Sequence, residues 1–334
     1  MLYNTDMKLP ESLEILRSAC HEIEGCEFEV VDKNSGFLAR VQINGRAFYP
    51  SAAKIPIFPI NSSNAAELVN DKSYTNYILK SAGLSVTDGE AFLVKGDHKK
   101  FGMAGIDDAL LYAERVGYPV FAKPNRSSHG RLADICYTEN DLREHVQEIA
   151  RVDYVACVQR LYNKREFRVF CLNGKVVFGY ERIKPTISGN GKSSIRDLIS
   201  SINEKTDFDT QRIDLLSKKL ANELAEKSLT LDDILTANQT IEVSAAANIA
   251  RGGEISNITF DGWSDQINEA VQFISNDIGL NVFGIDYFAE DISGSDFCII
   301  EVNHNPSLKG ISSVDKSLAI SIWVQILRKW SSSL

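Results

Sequence analysis

The sequence predicts an α+β protein built on antiparallel sheets. Two Asn-Gly pairs, Asn44-Gly45 and Asn173-Gly174, each lie between short segments rich in β-branched and aromatic residues, which is the pattern of a tight hairpin. Longer segments with apolar residues at helical spacing separate these hairpins. The strands and helices do not alternate regularly, as they would in a doubly wound dinucleotide-binding fold.

The composition is that of a globular protein. The 334 residues include 36 Lys and Arg against 45 Asp and Glu, so the formal charge is −9, and 44% of residues are hydrophobic. A chain of this length typically forms about two domains and buries its own core. Because a nucleic-acid groove needs a basic stripe, the net acidity argues against a nucleic-acid partner.

Membrane and redox features point to the cytoplasm. The apolar runs fall far short of the ~20 residues that a membrane helix needs, and the N-terminus lacks a basic-then-apolar signal pattern. The six cysteines form no C-x-x-C pair, which predicts reduced and mostly buried thiols. We therefore expect a cytoplasmic protein without a membrane partner.

Residues 1–61 are predicted to form a small N-terminal α/β domain. An amphipathic helix is expected over 10–24, and Asn44-Gly45 joins two of the strands that follow it. Prolines then punctuate a link over 50–59. The domain offers a surface for a partner or a second copy of the chain, so a homodimer is one expectation. The three strands are expected at 28–31, 36–43 and 46–49.

Residues 62–157 are predicted to form a second unit. Ser62 or Ser63 is expected to cap a single helix that ends at Gly83, since Gly commonly follows the last helical residue. The elements after this helix are expected at 90–94 (strand), 106–116 (helix) and 119–123 (strand).

Residues 158–334 are predicted to form a third unit, interrupted by a charged helical insertion over 193–237. Its helices are expected at 265–278 and 313–330. The strands, the first of which begins before the unit boundary, are expected at 154–161, 166–172, 175–182, 239–243, 282–288 and 297–302.

The most informative motif places acidic and amide side chains on two apolar strands. Asp286 lies in Phe-Gly-Ile-Asp-Tyr-Phe, and Glu301 begins Glu-Val-Asn-His-Asn-Pro-Ser. Strand alternation puts Glu301, Asn303 and Asn305 on one face. If the Asp286 strand lies antiparallel beside this one, two carboxylates and an amide oxygen converge, which suits Mg²⁺. The alternative is a set of solvent-facing residues at strand ends.

Two loops have the composition of phosphate-binding turns. The strand over 119–123 ends at Lys123 and runs into a Ser- and Gly-containing loop, whose backbone N–H groups could surround an anion. A second turn, over 248–253, combines a basic residue with paired glycines, which let a backbone approach an anion closely. For both segments an ordinary surface loop is the alternative.

Taken in order, eight motifs resemble the ATP-grasp superfamily of carboxylate–amine ligases, over roughly residues 60–330. The chain is most similar to the branch with bifunctional glutathione synthetases, cyanophycin synthetases and glutamate-ligating ribosomal-protein modifiers. The resemblance implies the ATP-grasp fold, in which two α+β subdomains grip ATP. The motifs are Asn70-Asp-Lys-Ser with Gly83-Leu, Phe121-Ala-Lys-Pro, Arg165-Glu-Phe-Arg-Val-Phe, Glu181-Arg-Ile-Lys-Pro, Gly189-Asn-Gly-Lys-Ser-Ser-Ile, 248–253, Gly284-Ile-Asp and Glu301-Val-Asn-His-Asn-Pro.

The resemblance also implies roles by position. The residues that match the nucleotide site are Lys72 and Lys123 on the phosphates, Ser127, Ser128 and Gly130 in the closing loop, Gln159, Arg160 and Leu161 at the adenine hinge, and Glu166 at the ribose. The residues that match the magnesium ligands are Asp286, Glu301 and Asn303. The residues that match the wall where acyl substrate and transferred phosphate meet are Arg182, Asn248, Arg251 and Gly253.

The implied activity is formation of an amide or peptide bond through an acylphosphate, with release of ADP and phosphate. The implied cofactors are ATP and two Mg²⁺ ions, replaceable by Mn²⁺, and the implied substrates are small-molecule amino acids or peptides. Two alternatives stay open at this point. One is a small-molecule kinase that stops after phosphoryl transfer, and the other is a non-catalytic nucleotide-binding regulatory protein.

Overall fold

The computed structural model describes residues 9–52, 58–97, 100–127, 130–205, 212–243 and 254–332. None of the helices in these ranges is long and apolar enough to cross a membrane. Four of the six cysteines, Cys20, Cys136, Cys171 and Cys298, are buried, as predicted.

The N-terminal segment forms one helix and a small antiparallel sheet. The order in the sheet is β1-β2-β3, and Asn44 and Gly45 make the predicted turn with positive φ angles of 49° and 78°. Leu13 and Leu16 are fully buried, and they share a hydrophobic cluster with Trp323 of the C-terminal helix. The elements are α1 (Glu11–His21), β1 (Glu27–Val30), β2 (Ala39–Ile43) and β3 (Arg46–Phe48).

The helix expected to run from Ser62 to Gly83 is two helices, so that prediction was wrong. They are α2 (Ser63–Asn70) and α3 (Lys72–Ser81). Asp71 between them is extended, with φ −91° and ψ 103°, and its carboxylate accepts a hydrogen bond from the Tyr74 N–H. Asp favours this capping geometry over a helix interior because its side chain replaces the missing backbone acceptor. The Ser62 cap of α2 is confirmed.

A four-stranded antiparallel sheet, with order β4-β7-β5-β6, follows α3. The helices α4 and α5 contribute to the same hydrophobic cluster as this sheet. The sequence reading missed β6 and α5, although Thr138 and Asp141 form a capping box that marks the start of α5. The elements are β4 (Gly89–Leu93), α4 (Ile106–Val116), β5 (Val120–Pro124), β6 (Asp134–Cys136), α5 (Glu139–Ile149) and β7 (Val155–Arg160).

A five-stranded antiparallel sheet, which we call the central sheet, has the order β12-β9-β8-β13-β14. The hairpin at Asn173-Gly174 is confirmed by positive φ angles at both residues. The sequence reading missed β12. The elements are β8 (Arg165–Leu172), β9 (Lys175–Ile183), β12 (Glu254–Thr259), α8 (Asp265–Phe273) with a π-helical turn (Ile274–Ile278), β13 (Val282–Ala289) and β14 (Cys298–Asn303).

The two faces of the central sheet differ in character. One face packs against α2, α3 and α8 and is apolar along the strands. On the other face, Phe170 and Val282 join the cluster beneath α1 and the C-terminal helix. Because side chains alternate along a strand, Glu166, Arg168 and Asp286 lie on that same second face, beyond its apolar part. The chain closes with α9 (Lys309–Ser312) and α10 (Lys316–Ser332).

The predicted insertion over 193–237 contains two helices, α6 (Ile195–Lys205) and α7 (Lys218–Glu226). Two strands that flank it, β10 (Thr186–Ser188) and β11 (Thr240–Glu242), pair antiparallel. Residues of this region, among them Ile195, Leu224 and Leu235, form a separate hydrophobic cluster. The boundaries of the three units remain predictions.

Gly179 in β9 allows the Trp263 ring to approach the central sheet. A Cβ at this position would lie 2.6 Å from Trp263 Cη2 and 3.1 Å from Val169 Cγ1. We expect Gly179→Ala to lower the free energy of unfolding by about 1–3 kcal/mol, since overpacking displaces a partly buried ring. Urea denaturation would measure this. Gly310→Ala, whose Cβ would meet only the tip of Ile255 at 3.3 Å, is the control; equal losses in both variants would contradict the account.

Candidate functional site

A cleft of about 2620 Å³ is lined by residues of the two larger sheets and of the N-terminal helix. Pockets for one small ligand typically measure 300–1,000 Å³, so this cleft has room for a nucleotide and a further substrate. Its lining includes most of the residues predicted from the motifs: Lys72, Lys123, Ser127, Gly130, Gln159, Leu161, Glu166, Arg182, Asp286, Glu301 and Asn303.

The two predicted acidic residues face each other on adjacent strands. β13 and β14 are antiparallel, which is the condition for the predicted convergence, and Asp286 lies directly opposite Glu301. The register shifts immediately after this pair, since Tyr287 faces Ile299, which is the signature of a β-bulge. Asn303 donates a hydrogen bond from Nδ2 to Glu301 Oε1 at 3.1 Å. The register therefore brings the two carboxylates and the amide together.

Asp286 is a buried carboxylate, only 1% exposed, that lies between two guanidinium groups. Arg168 donates to both of its oxygens, with 2.6 Å between Nη2 and Oδ2. Arg182 donates from Nη1 to Oδ2 at 2.7 Å and also to Glu166. Removing a carboxylate from water is costly unless opposite charges and hydrogen bonds compensate it. The two arginines provide that compensation.

Arg168 was missed by the sequence reading, although the signal was present. Glu166 and Arg168 are separated by one residue in an apolar strand, so they share a face. Arg168 stands opposite Asp286 in the β8–β13 pairing, and Glu166 stands opposite Arg182 in the β8–β9 pairing. The charged residues of β8 and β9, considered together with the acidic pair on β13 and β14, could have predicted this cluster.

Arg182 retains an unused hydrogen-bond donor. Its side chain is 10% exposed, and its Nε is buried without an acceptor within the described ranges. An unsatisfied buried donor is unfavourable, so this guanidinium is suited to receiving an anionic oxygen from a ligand in the cleft.

The two predicted lysines reach the cleft from the four-stranded sheet and from α3. Lys123 lies in β5 and is 7% exposed, and Lys72 is the first residue of α3. Burial lowers the pKa of Lys123, the Glu301 carboxylate opposes this, and the ammonium of Lys72 lowers it further. The two lysines are therefore close enough to repel each other and to share Glu301 as a counterion.

Glu301 is held as an anion by these neighbours. Burial alone would raise its pKa, but Lys72, Lys123 and Arg168 outweigh that effect and lower the pKa to about 2. Glu166 behaves oppositely. Its burial raises the pKa to about 7, with Asp286 adding to the rise and Arg182 opposing it. Four cations and three carboxylates thus share the site, which leaves a net positive charge for an anionic ligand.

The donor set fits a hard divalent cation. Among the residues that the structure describes, no group of three or more His, Cys, Asp or Glu could hold a metal, so the predicted set depends on the amide of Asn303. A carboxylate has about four lone-pair sites. Guanidinium donors occupy three of the lone-pair sites of Asp286, which leaves one site for a cation. Two carboxylates and an amide provide oxygen ligands of the kind that Mg²⁺ prefers.

The predicted adenine hinge lies at the end of β7. Gln159 is 6% exposed and lines the cleft with Leu161, whereas Arg160 is exposed and lies 3.8 Å from Asp88. A Cβ on Gly89, opposite Gln159, would come within 2.7 Å of the Gln159 Cβ, so Gly89 allows the strand to seat this side chain.

Some predicted residues cannot be placed. Ser128, Asn248, Arg251 and Gly253 lie outside the described residues. At the edges of the closing loop, Ser127 donates from Oγ to the Arg131 carbonyl at 3.3 Å, and Gly130 has a positive φ of 66°. The roles of all the candidate residues stay predictions.

Sequence relatives match most of the chain. A cyanophycin synthetase from Synechocystis sp. is 30% identical over 260 residues, which are 73% of this chain. A glutathione biosynthesis bifunctional protein from Streptococcus mutans is 24% identical over 306 residues, which are 85% of this chain. The chain spans 28% of the first relative and 38% of the second. No family model matches the sequence.

Solved structures match the fold. The crystal structure of a bifunctional glutathione synthetase from Pasteurella multocida gives a TM-score of 0.54 at 17% identity, covering 94% of this chain and 44% of that one. A D-alanine–D-alanine ligase from Bacillus anthracis gives 0.50 at 13% identity, covering 82% and 72%. At these identities the likeness concerns the fold.

The raised pKa of Glu166 predicts a pH-dependent stability. Because the pKa is about 7 in the folded chain and 4.5 in the unfolded reference, the folded state binds more protons between these values, and stability falls as the pH rises through them. We compare the free energy of unfolding of Glu166→Gln with that of the unaltered protein at each pH. We expect the difference to favour the variant by about 1–3 kcal/mol more at pH 8 than at pH 5.

Denaturant unfolding at both pH values would measure this effect. Comparing the two values cancels the part of the change that comes from the lost hydrogen bond with Arg182. Glu114→Gln, at an exposed position on α4, is the control and should show no such pH dependence. An equal effect of Glu166→Gln at both pH values would contradict the assignment.

Proposed function

From its membership of the ATP-grasp superfamily, to which both its fold and its sequence relatives assign it, we propose that the chain is an ATP-dependent carboxylate–amine ligase. It would join an amino acid or small peptide to a second such substrate, with release of ADP and phosphate. The sequence relatives are named cyanophycin synthetase and glutathione biosynthesis protein, and these names support substrates of this class.

One observation of the structure carries the proposal. Lys72 of α3, Lys123 of the four-stranded sheet and Arg168 of the central sheet line one cleft with Glu301 and together lower its pKa. Arg182 pairs with Glu166 and Asp286, and among the described residues its buried Nε still has no acceptor. The surplus of positive charge suits a polyphosphate and an acyl group that becomes phosphorylated.

Each ligand has residues suited to hold it. Lys72 and Lys123 would bind the phosphates of ATP, and the backbone over 159–161 would bind the adenine. Glu166 is the candidate for the ribose hydroxyls. Asp286, Glu301 and Asn303 would hold Mg²⁺, which we propose is present as two ions that Mn²⁺ can replace. When bound, the metal neutralises charge on the phosphates.

The reaction requires two anions to approach each other. A carboxylate oxygen of the substrate forms a bond to the γ-phosphorus while the bond to the β–γ bridging oxygen breaks, and ADP leaves. Lys72, Lys123 and Arg182 offset the repulsion between the reactants. An amine then attacks the acyl carbon, phosphate leaves with the former carboxylate oxygen, and the nitrogen loses a proton to give the amide. The Arg182 Nε, which has no acceptor among the described residues, would stabilise the departing phosphate.

Product analysis would test the function. The protein is incubated with Mg²⁺, ATP and a matrix of amino acids and dipeptides, and ADP release is measured alongside mass spectrometry. We expect ADP together with a product lighter by one water than the summed substrates. ADP with a phosphorylated product and no condensation would replace the ligase by a kinase. ATP binding without ADP from any mixture would contradict catalysis on this substrate class and favour a regulatory protein.

Glu301→Gln would test the role of the buried carboxylate. We expect turnover to fall about 100-fold or more, because several kcal/mol of charge stabilisation are lost, while circular dichroism shows a folded chain. Steady-state ADP release with the condensing substrates would measure it. Glu114→Gln is the exposed control. A folded Glu301→Gln protein with full activity would exclude Glu301 as a ligand.

A further inference from the structure

Asn125 is a buried polar residue to which none of the motifs assigns a role. It follows the last residue of β5 and is 2% exposed. Its main-chain N–H donates to the Val155 carbonyl at 3.0 Å, so β7 fixes its position. A buried amide side chain is costly unless it is hydrogen-bonded, and the Asn125 Oδ1 accepts a main-chain N–H.

The Asn125 side chain holds the start of α3. Its Oδ1 accepts the Ser73 N–H at 2.9 Å and faces the Cys157 thiol at 3.5 Å. The amide also lies near the carboxylate of Asp71, the cap of α3, and favours its charged form. Burial raises the pKa of Asp71, but the bond from the Tyr74 N–H, the Asn125 amide and neighbouring side chains outweigh it and lower the pKa.

The Asn125 main chain holds Lys72 itself. Its carbonyl accepts from Lys72 Nζ at 3.3 Å and from the Lys72 N–H at 3.4 Å. The Lys72 ammonium also donates to the Ser127 carbonyl at 2.6 Å. One residue therefore contacts the lysine, the next residue of its helix and the helix cap.

This arrangement sets the distance between two like charges. Lys123 stands two residues before Asn125. Burial lowers the pKa of Lys123, Glu301 opposes this effect, and the ammonium of Lys72 lowers the pKa further. Repulsion between the lysines favours moving α3 away from β5. The bonds through Asn125 oppose that movement, and so does the bond from Arg126 Nε to the carboxylate of Asp71, the cap of α3, at 3.3 Å.

We propose that Asn125 is a positioning residue that fixes Lys72 relative to Lys123, so that both ammonium groups can contact the polyphosphate of ATP. This inference rests on the proposed function, since it assumes that the two lysines bind nucleotide. Asn125 does not itself touch the nucleotide, and it acts through the first turn of α3.

Calorimetric titration of a non-hydrolysable ATP analogue with Mg²⁺ would test the inference. We expect Asn125→Ala and Asn125→Asp to weaken binding about tenfold or more, equivalent to about 1.4 kcal/mol. The alanine removes the bond from the Ser73 N–H and the amide near Asp71, and the aspartate places a second carboxylate near that of Asp71. Asn76→Ala is the matched control, because Asn76 lies on the same helix and loses one hydrogen bond, to the Thr87 carbonyl at 3.3 Å.

The control separates positioning from stability. Asn76→Ala should lower the melting temperature. Its affinity for the analogue should stay within about twofold of that of the unaltered protein, well short of the tenfold weakening, equivalent to ~1.4 kcal/mol, expected of the Asn125 variants. Asn125 variants that bind as tightly as Asn76→Ala would overturn the inference. Failure of the unaltered protein to bind the analogue would instead overturn the proposed function, and this inference with it.

A charge exchange keeps the inference testable if Asn125→Ala does not fold. In the double variant Asp71→Asn with Asn125→Asp, an amide again faces a carboxylate, and Asn can still cap α3. We expect this variant to bind the analogue more tightly than Asn125→Asp alone. A double variant as weak as Asn125→Asp would show that the interaction of Asn125 with Asp71 does not position Lys72.

Discussion

The burial of Asp286 between two arginines is the constraint on which the candidate site depends. A carboxylate that is 1% exposed is tolerated only where opposite charges and hydrogen bonds replace water. Those partners come from two strands on one side of β13, since Arg168 stands on the neighbouring strand and Arg182 on the strand beyond it. A register slip of one residue would turn Arg168 to the apolar face. The charge cluster and the pairing of β9, β8 and β13 therefore require each other.

The same face of the central sheet serves two purposes. Near Phe170 and Val282 it is apolar and packs beneath α1 and α10, and near Glu166 and Asp286 it is charged and lines the cleft. The apolar part supplies stability that the charged part cannot, because buried ion pairs contribute little net stability once desolvation is included. A site rich in compensated charge can thus be carried on a rigid strand, which holds functional groups more accurately than a loop does.

The sequence predicted the strands of the site better than the links between sheets. Asp286 and Glu301 could be paired in advance because polar residues at period two in an apolar strand must share a face. The break at Asp71 was missed because hydrophobic spacing continues through it, and only the side chain's competition for backbone donors interrupts the helix. The period of β8 places Arg168 on the face of Glu166, but its pairing with Asp286, 118 residues away in the sequence, was missed because no local pattern reports a long-range pairing. Contacts such as those of Asn125 depend on that tertiary arrangement.

The central claim is that these residues form one site for ATP and a divalent cation. The most direct test is a crystal structure of the chain grown with Mg²⁺ and a non-hydrolysable ATP analogue. The account predicts the triphosphate in contact with Lys72 and Lys123, and the cation on Asp286, Glu301 and Asn303. A triphosphate bound away from both lysines, or a cation held by other residues, would contradict it.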